Sequence, residues 1–461
     1  MVELLIAIQA TLCAAPLVAV FFGRLSPISA PVLVAVLFSH VYVAQPILLL
    51  VYGHPLLTEE MMALGLAVSI IALVSFYAGW LWSVRHPPRP QKRGIDLRKG
   101  MVCAVAVWCV GALGWGVFIL RSGGFSHYYS APHGAAGDWL GTSAYVYALV
   151  WFMPAAVSVL LGLVFYSLPG APMRRRLLWL AAVLSSWYFA DSLLSGSRGD
   201  FFAITSPWLI FMLMSMRKHR QRVLAGGLFL LLGGAMFQIL PSFRDALHLG
   251  GDKAAFRDPE RWEAAFSRVG SVTRRGQSAE FDNHCANCYI SWRFQEYGYG
   301  QSFINPIINF LPRHLVPNKA EYMVRAFSAG DVIEAELGWT AAYGSCPTGP
   351  GRIFTDIGFF SILFWVAVGL SAGRFDWTVH AKKDAGSLPR HATMMIVLMY
   401  LVLQSYSAGF MKLVYVGVPV GLCLKFSRRS RPSYCALTSP IRADFARLGH
   451  GTRVAPGAWA R

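Results

Sequence analysis

Five basic residues of this chain are candidates for binding an anionic group such as a phosphate. One of them, Arg198, lies in the short segment Ser195-Gly196-Ser197-Arg198-Gly199-Asp200 between two apolar stretches. Its guanidinium suits phosphate oxygens because it donates two parallel hydrogen bonds, and the amides of a small turn can add to them. The alternative interpretation is a plain helix-turn-helix corner whose arginine reaches lipid headgroups. The other four candidates are Arg244, Arg313, Lys319 and Arg352.

Two of these cations lie in a segment that proline makes rigid. Residues Asn309 to Lys319 contain Arg313, His314 and Lys319, bracketed by two prolines. Each proline fixes one backbone torsion, so the segment has few conformations. Rigid cations form a preorganised anion site, because little reorganisation is needed when the anion arrives.

Aromatic residues are concentrated between Tyr289 and Tyr299. Within this segment Trp292, Arg293 and Tyr297 combine ring faces with polar groups. Such a combination suits the faces of sugars, but tryptophan and tyrosine are also enriched at membrane interfaces. Both interpretations of the segment stay open.

The cysteines and histidines do not predict a metal site. Cys285 and Cys288 follow His284, but no second pair of ligands comes at the spacing of a zinc finger. With Cys346, these cysteines are predicted to form a structural disulfide or to remain free thiols. We expect no cofactor.

Apolar segments make up most of the chain and must position these polar groups. The chain has 461 residues, of which 55% are hydrophobic and 14% are charged. A helix needs roughly 20 mainly apolar residues to cross a hydrocarbon core about 30 Å thick. The sequence therefore predicts an all-α polytopic membrane protein with about eleven transmembrane helices. The predicted spans are residues 2–22, 29–52, 60–83, 100–120, 140–166, 177–195, 201–216, 223–240, 352–372, 391–407 and 409–426.

Charge divides the chain into four segments. The whole chain has 41 Lys and Arg against 23 Asp and Glu, whereas residues 241–350 have 11 against 12. Because basic loops beside spans stay in the cytoplasm, residues 241–350 are predicted to be a large, mostly helical periplasmic loop. Residues 1–240 are then an N-terminal bundle of about eight spans and residues 351–426 a group of about three. Residues 427–461 are a basic cytoplasmic tail.

Three motifs resemble the oligosaccharide repeat-unit polymerases of the Wzy type. Gly196-Ser197-Arg198-Gly199 is similar to a turn between central spans of that family, and residues 312–319 look like its late outer-loop motif. Residues 345–360 are similar to the entry into its following helix. There the chain departs from the family, with Arg352 in place of an acid and Asp356-Ile357 in place of Asn-Phe.

The resemblance implies a fold and a reaction. The fold is similar to the GT-C-like architecture of polymerases and ligases. The implied reaction is a metal-independent glycosyl transfer on the outer leaflet of a bacterial inner membrane, with undecaprenyl diphosphate as the leaving group. Implied partners are the undecaprenyl-diphosphate-linked oligosaccharide, membrane lipid, a flippase and a chain-length regulator, without nucleic acid. The product is a surface or secreted polysaccharide.

The resemblance also implies roles for the candidate residues. The cations would bind the lipid diphosphate, and Trp292, Arg293 and Tyr297 would bind sugars. A general base must lie within hydrogen-bond reach of the acceptor hydroxyl. The candidates for that base are His314, Glu334, Glu336, Asp356 and His284.

Two other functions stay open at this stage. An O-antigen ligase moves a finished glycan from the same lipid carrier and needs the same diphosphate site. A polysaccharide transporter or flippase keeps charges near the middle of the bilayer, where each costs at least about 2.5 kcal/mol. The predicted spans contain few ionisable residues, among them His40, Asp191 and Lys412, and this scarcity favours an enzyme.

Overall fold

The structure is a computed structural model in which every regular element of the described residues is a helix, apart from an isolated β-bridge between Ile95 and Arg428. Between residues 234 and 248 only the backbone is described. The described residues are 1–52, 57–86, 94–125, 128, 146–195, 197–216, 218–248, 263, 279–295, 297–300, 303–304, 307–308, 311, 348–381 and 386–428.

We number the α-helices of this described part in chain order. They are α1 (Val2–Phe21), α2 (Ala30–Ser39), α3 (Gln45–Tyr52), α4 (Glu59–Arg85), α5 (Leu97–Arg121), α6 (Phe152–Tyr166), α7 (Pro172–Leu194), α8 (Arg198–Ser215), α9 (His219–His248), α10 (Ala279–Phe294), α11 (Gly349–Ile357), α12 (Ser361–Ala381), α13 (Ser387–Leu403), α14 (Tyr406–Lys412) and α15 (Val418–Phe426). Short π-helical turns join α2 to α3 (His40–Ala44) and α14 to α15 (Leu413–Gly417).

Eight helical segments of the described chain are long and apolar enough to cross a bilayer, so the prediction of a helical membrane protein is confirmed. They are Val2–Phe21, Ala30–Val51, Glu59–Arg85, Leu97–Arg121, Val146–Tyr166, Pro172–Leu194, Gly349–Val379 and Tyr406–Phe426. The other three predicted spans, residues 201–216, 223–240 and 391–407, fall on α8, α9 and α13. That these three also cross the membrane stays a prediction.

Helices α4 and α12 pack closely against each other. A Cβ atom added at Gly79 or Gly369 would overlap the backbone carbonyl oxygens of Val366 and Phe76 respectively. Gly369 and Gly373 are four residues apart, a spacing of small residues that lets membrane helices approach closely. Helix α10 packs on the same α4. The α4–α12 pair therefore also supports α10.

Two turns differ from their predicted positions. The turn predicted at residues 407–409 lies at Gln404 and Ser405, because the Ser405 side chain accepts a hydrogen bond from the Ala408 amide and caps α14. The span predicted from residue 352 is interrupted at Gly358, whose φ of 56° lies in the left-handed region. Helices α11 and α12 are therefore separate elements.

Helix α9 extends beyond the predicted boundary at residue 240 and ends at His248. Apolar composition marks where a helix can lie in hydrocarbon, whereas the backbone hydrogen bonds continue into the charged residues that follow. Residues 241–248 therefore belong to a helix of the preceding segment. The other predicted boundaries of the outer loop stay predictions.

Candidate functional site

The turn that carries Arg198 is held by a buried carboxylate. Ser197 caps α8 by accepting a hydrogen bond from the Asp200 amide, at 3.3 Å. The buried Asp200 side chain accepts hydrogen bonds from the hydroxyls of Tyr188 (2.9 Å) and Tyr147 (3.4 Å). A carboxylate in the first helical turn is also stabilised by the helix dipole. Asp200 therefore fixes the orientation of α8 and of Arg198 at its first position.

A cavity of about 120 Å³ lies beside Arg198, and four helical segments contribute its polar lining. Arg198 Nη1 lies 3.7 Å from Glu280 Oε1, in the first turn of α10. His40 is within electrostatic range of both side chains. Tyr400 and Gln404 at the end of α13 complete the polar lining. The cavity thus combines a cation, a carboxylate, an imidazole and a phenol.

Of the two π-helical turns of the described chain, one lies at this cavity and the other follows a residue that packs against the cavity-lining Tyr400. The first begins at His40, which lines the cavity, and the second follows Lys412 directly. A π-helical turn inserts one extra residue into a helix, and such turns are found frequently at functional sites. The position of the first turn is consistent with a site that requires a particular direction of the His40 side chain.

Lys412 packs against the ring of Tyr400, which lines the cavity. Its ammonium lies 3.2 Å from the centroid of the Trp151 ring and 4.6 Å from that of Tyr400. The two rings meet edge to face at 5.4 Å. Attraction between a cation and aromatic faces strengthens when water is excluded. One packed unit beside the cavity is therefore formed by Trp151, Tyr400 and Lys412.

The cavity lies where two helix connections turn beside a longer helical segment. The α7–α8 and α13–α14 connections both turn at this site, since Leu194 precedes Arg198 by four residues and Leu403 follows Tyr400 by three. The segment that carries His40 continues for eleven more residues to Val51, or about 16 Å. Arg198 is therefore recessed between helices rather than lying at the end of all of them.

A second group of predicted residues meets at the end of α10. Trp292 contacts Phe359 edge to face at 5.8 Å, and Tyr297 contacts Phe354 at 5.9 Å. The Arg293 guanidinium lies 5.9 Å from the centroid of the Tyr289 ring. The three predicted sugar-binding residues therefore lie close together. Trp292, at 41% exposure, presents part of its ring to the surroundings.

Asp356 belongs to this second group and is covered by protein. Its side chain is 3% exposed, and a Cβ atom added at Gly298 would overlap its carboxylate. The Gly298 and Gly300 amides donate hydrogen bonds to the backbone carbonyls of Thr355 and Asp356. This turn closes over the carboxylate, so the structure as described does not present Asp356 to a substrate.

The two groups are separated along α10. Glu280 and Trp292 are twelve residues apart, which corresponds to about 18 Å of helix. One sugar ring cannot touch both, but an oligosaccharide of several rings can extend between them. The predicted general base Asp356 is accordingly not part of the Arg198 cavity.

The remaining predicted site residues are not among the described residues that line the Arg198 cavity. Arg352 lies on α11 and is partly buried. Arg244 is on α9, where only the backbone is described. The predicted residues that lie outside the described part of the chain are Arg313, His314, Lys319, Glu334 and Glu336.

His284 is held in a closed hydrogen-bond chain, which does not fit the role of a general base. Its Nε2–H donates to the Gly65 carbonyl at 2.8 Å. Its Nδ1 accepts from the Thr348 hydroxyl at 2.8 Å, and Thr348 in turn accepts from the Tyr42 hydroxyl. Burial lowers the pKa of His284 to about 4, so the ring is neutral at physiological pH. This buried chain anchors α10 to α4.

Cys285 and Cys288 lie on the same buried part of α10. Both are free thiols and are fully enclosed. Burial raises the pKa of each thiol, which makes them poor nucleophiles. Of the two predicted alternatives the structure supports free thiols at these positions, while Cys346 lies outside the described residues.

We expect acid to weaken the anchoring of α10. A histidine with a lowered pKa in the folded state destabilises that state as the pH falls through its unfolded value of 6.5 towards 4. Between about pH 7.5 and about pH 5 this group alone should cost about 2 kcal/mol. Thermal unfolding in detergent at both pH values measures the effect. His284→Gln, which cannot titrate, should lose most of this pH dependence, and an equal dependence in the variant would contradict the assignment.

Glu280 is the main residue that the sequence analysis missed. It lies in a near-neutral segment with several other acids, and no local pattern distinguishes it from them. The only signal was its place in the first turn of a helix, where acids are common. Its pairing with Arg198 depends on how α10 packs against the bundle, which is not encoded in either local motif.

Comparison with known proteins identifies no relative: no family model, no curated protein and no solved structure matches this chain.

Proposed function

We propose that this protein is a glycosyltransferase that polymerises oligosaccharide units carried on undecaprenyl diphosphate, with the Arg198 cavity as its diphosphate site. The observation that carries the proposal is the recessed cavity at the start of α8, where a guanidinium, a carboxylate, an imidazole and a phenol meet. A helix N-terminus with an arginine favours a bound anion. Long helices around the cavity suit a substrate that carries a lipid tail.

The transfer reaction requires two things from the protein: a fixed positive charge and correct positioning of the two substrates. An acceptor hydroxyl attacks the anomeric carbon, and the bond from that carbon to the diphosphate oxygen breaks. Negative charge then grows on the diphosphate, and a fixed cation stabilises it most where water is excluded. Arg198 is suited to this task because Asp200 holds its helix turn in place.

The second group of residues suits the remainder of the glycan. Aromatic faces at Trp292 and Tyr297 with the nearby Arg293 are the kind of surface that sugar rings pack against. Trp292 lies about 18 Å from Glu280 along α10. This group would therefore contact sugars several rings away from the reacting bond. In this proposal they bind the chain and take no part in bond making.

The proposal includes an orientation. Residues 241–350 lie on the periplasmic side of a bacterial inner membrane, the basic C-terminal tail lies in the cytoplasm, and the chain crosses about eleven times. The distribution of Lys and Arg in the sequence supports this topology. Reporter fusions after residues 217 and 430 should both report the cytoplasm, and a periplasmic signal at either one would contradict it.

A second candidate function is a carrier of an anionic glycolipid. Lys412 lies inside an apolar span within electrostatic range of Asp200, and His40 is within electrostatic range of Arg198. Ionisable residues inside membrane bundles often mark a transport path. This cluster weakens the argument from the scarcity of such residues, and it makes a direct test necessary.

Reconstitution of the full-length protein in liposomes separates these functions. The substrate is lipid-linked repeat units extracted from a strain in which the gene is deleted. We expect glycans of increasing length on lipid, with release of undecaprenyl diphosphate in step with each bond formed. Units that move between leaflets without growing would indicate a carrier. Transfer only to a different acceptor, such as lipid A core, would indicate a ligase.

A further inference from the structure

We propose that Glu280 is the general base of the transfer and that Arg198 holds it in a resting ion pair until a diphosphate binds. This inference rests on the proposed function, because it names the group that removes the acceptor proton in the same cavity. Both side chains line the cavity and both are partly exposed, at 33% for Arg198 and 37% for Glu280. Each can therefore reach a bound ligand.

The ion pair is not needed for holding the bundle together. Partly exposed ion pairs contribute little to stability, because water screens the charges. Helix α10 is instead fixed by its buried residues, including the hydrogen-bond chain through His284 to Gly65 and Thr348. Glu280 stands one turn before His284 on that rigid helix. Its position is consequently well defined without any help from Arg198.

A diphosphate would change the partner of Arg198. The guanidinium can form two parallel hydrogen bonds with phosphate oxygens, and a diphosphate carries more charge than one carboxylate. When the diphosphate binds the Arg198 guanidinium, the Glu280 carboxylate is released from the ion pair. It can then accept the acceptor proton beside the reacting bond. In the free enzyme the resting pair thus holds the Glu280 carboxylate at the cavity.

The proton and the electrons balance without a cofactor. The acceptor hydroxyl gives its proton to the Glu280 carboxylate while its oxygen bonds to the anomeric carbon. The bond between that carbon and the diphosphate oxygen breaks, and the electron pair leaves with the diphosphate. His40 lines the same cavity, and in this proposal it takes the proton from Glu280 next, which restores the carboxylate.

The alternative for Glu280 is a purely structural role, in which its ion pair with Arg198 holds α10 against α8. The two roles differ in what a neutral isostere does. Glu280→Gln removes the base but keeps the size of the side chain, and it also removes a negative charge from the anion site. A structural role predicts weaker ligand binding and lower thermal stability in this variant. A base predicts intact or tighter binding with lost turnover.

The test uses the full-length protein in liposomes or detergent. Binding is measured with undecaprenyl diphosphate, and turnover with extracted lipid-linked repeat units. For Glu280→Gln we expect at least an about 100-fold fall in kcat, with unchanged or tighter undecaprenyl diphosphate binding. Glu280→Asp should recover part of the rate. Glu60→Gln, a change at another first-turn glutamate that lies outside the cavity, is the matched control.

Each result has a defined meaning. If Glu280→Gln extends chains within about threefold of wild type, a loss far smaller than a general base implies, the assignment is wrong while the proposed function stands. If binding, stability and turnover fall together, Glu280 is structural and the assignment is again wrong. If the wild-type protein binds undecaprenyl diphosphate but never extends a chain, the proposed function itself fails and this inference falls with it.

Discussion

Replacing Arg198 with alanine is expected to lower chain extension by about 100- to 1000-fold while the protein remains folded and inserted. This range is typical for the loss of one fixed donor to a developing negative charge. Arg198→Lys should recover little, because a single ammonium cannot form the two parallel hydrogen bonds of a guanidinium. The measurement is polymer length on a gel from a deletion strain that carries each variant, together with turnover in liposomes.

The control for Arg198 is another arginine at a helix end. Arg121, in the last turn of α5, is exposed and does not line the cavity. Arg121→Ala should leave polymer length unchanged. Long polymer in the Arg198→Ala strain, at equal protein level, would mean that the diphosphate binds elsewhere.

Adding one methyl group at Gly199 should also disable the site. The new Cβ atom would overlap the Tyr400 hydroxyl, and the Tyr400 ring cannot swing away easily because it packs against Trp151 and Lys412. Overpacking of this kind costs about 1–3 kcal/mol, which corresponds to about 5- to 150-fold in rate if the reacting state bears it. We expect Gly199→Ala to lose turnover within this range.

A second substitution tests the cause of that loss. Tyr400→Phe removes the overlapping oxygen, so the double variant Gly199→Ala/Tyr400→Phe should regain part of the activity that Gly199→Ala loses. Gly421→Ala is the control, since a Cβ atom there meets nothing within 4 Å. Equal losses in the single and double variants would show that the Tyr400 contact is not responsible.

The sequence identified most helices because the signal for them is local. Apolar runs of sufficient length predict membrane spans directly, and each of the eleven predicted spans overlaps a helical segment of the described chain. The errors arose at helix ends. The Ser405 cap and the break at Gly358 depend on a side-chain hydrogen bond and on a backbone torsion, and neither changes the average hydropathy.

The candidate site was predictable only in part. Arg198 was recognised from the small turn around it, because that motif is contiguous in sequence. Glu280 comes from a helix far along the chain, and its meeting with Arg198 is a consequence of packing. His40 and Lys412 were noted as rare ionisable residues in apolar segments, but hydropathy does not tell which helix faces meet.

Asp356 shows what a sequence motif does not reveal. It was one of the general-base candidates at a helix entry, and the backbone of residues 298–300 covers its carboxylate. Sequence spacing placed it on the right element but could not reveal that a neighbouring turn closes over it. Trp292 and Tyr297 lie near each other because they are close in sequence at one helix end, and their role in sugar binding stays a prediction.

The most direct test of the central claim is cryo-electron microscopy of the full-length protein in nanodiscs with undecaprenyl diphosphate. The account predicts density for the diphosphate against the Arg198 guanidinium and the start of α8, with the Arg198–Glu280 pair opened and the lipid tail between neighbouring helices. The Arg198→Ala variant prepared in the same way should lack this density. Diphosphate density at any other place on the protein, with the Arg198 cavity unchanged, would contradict the account.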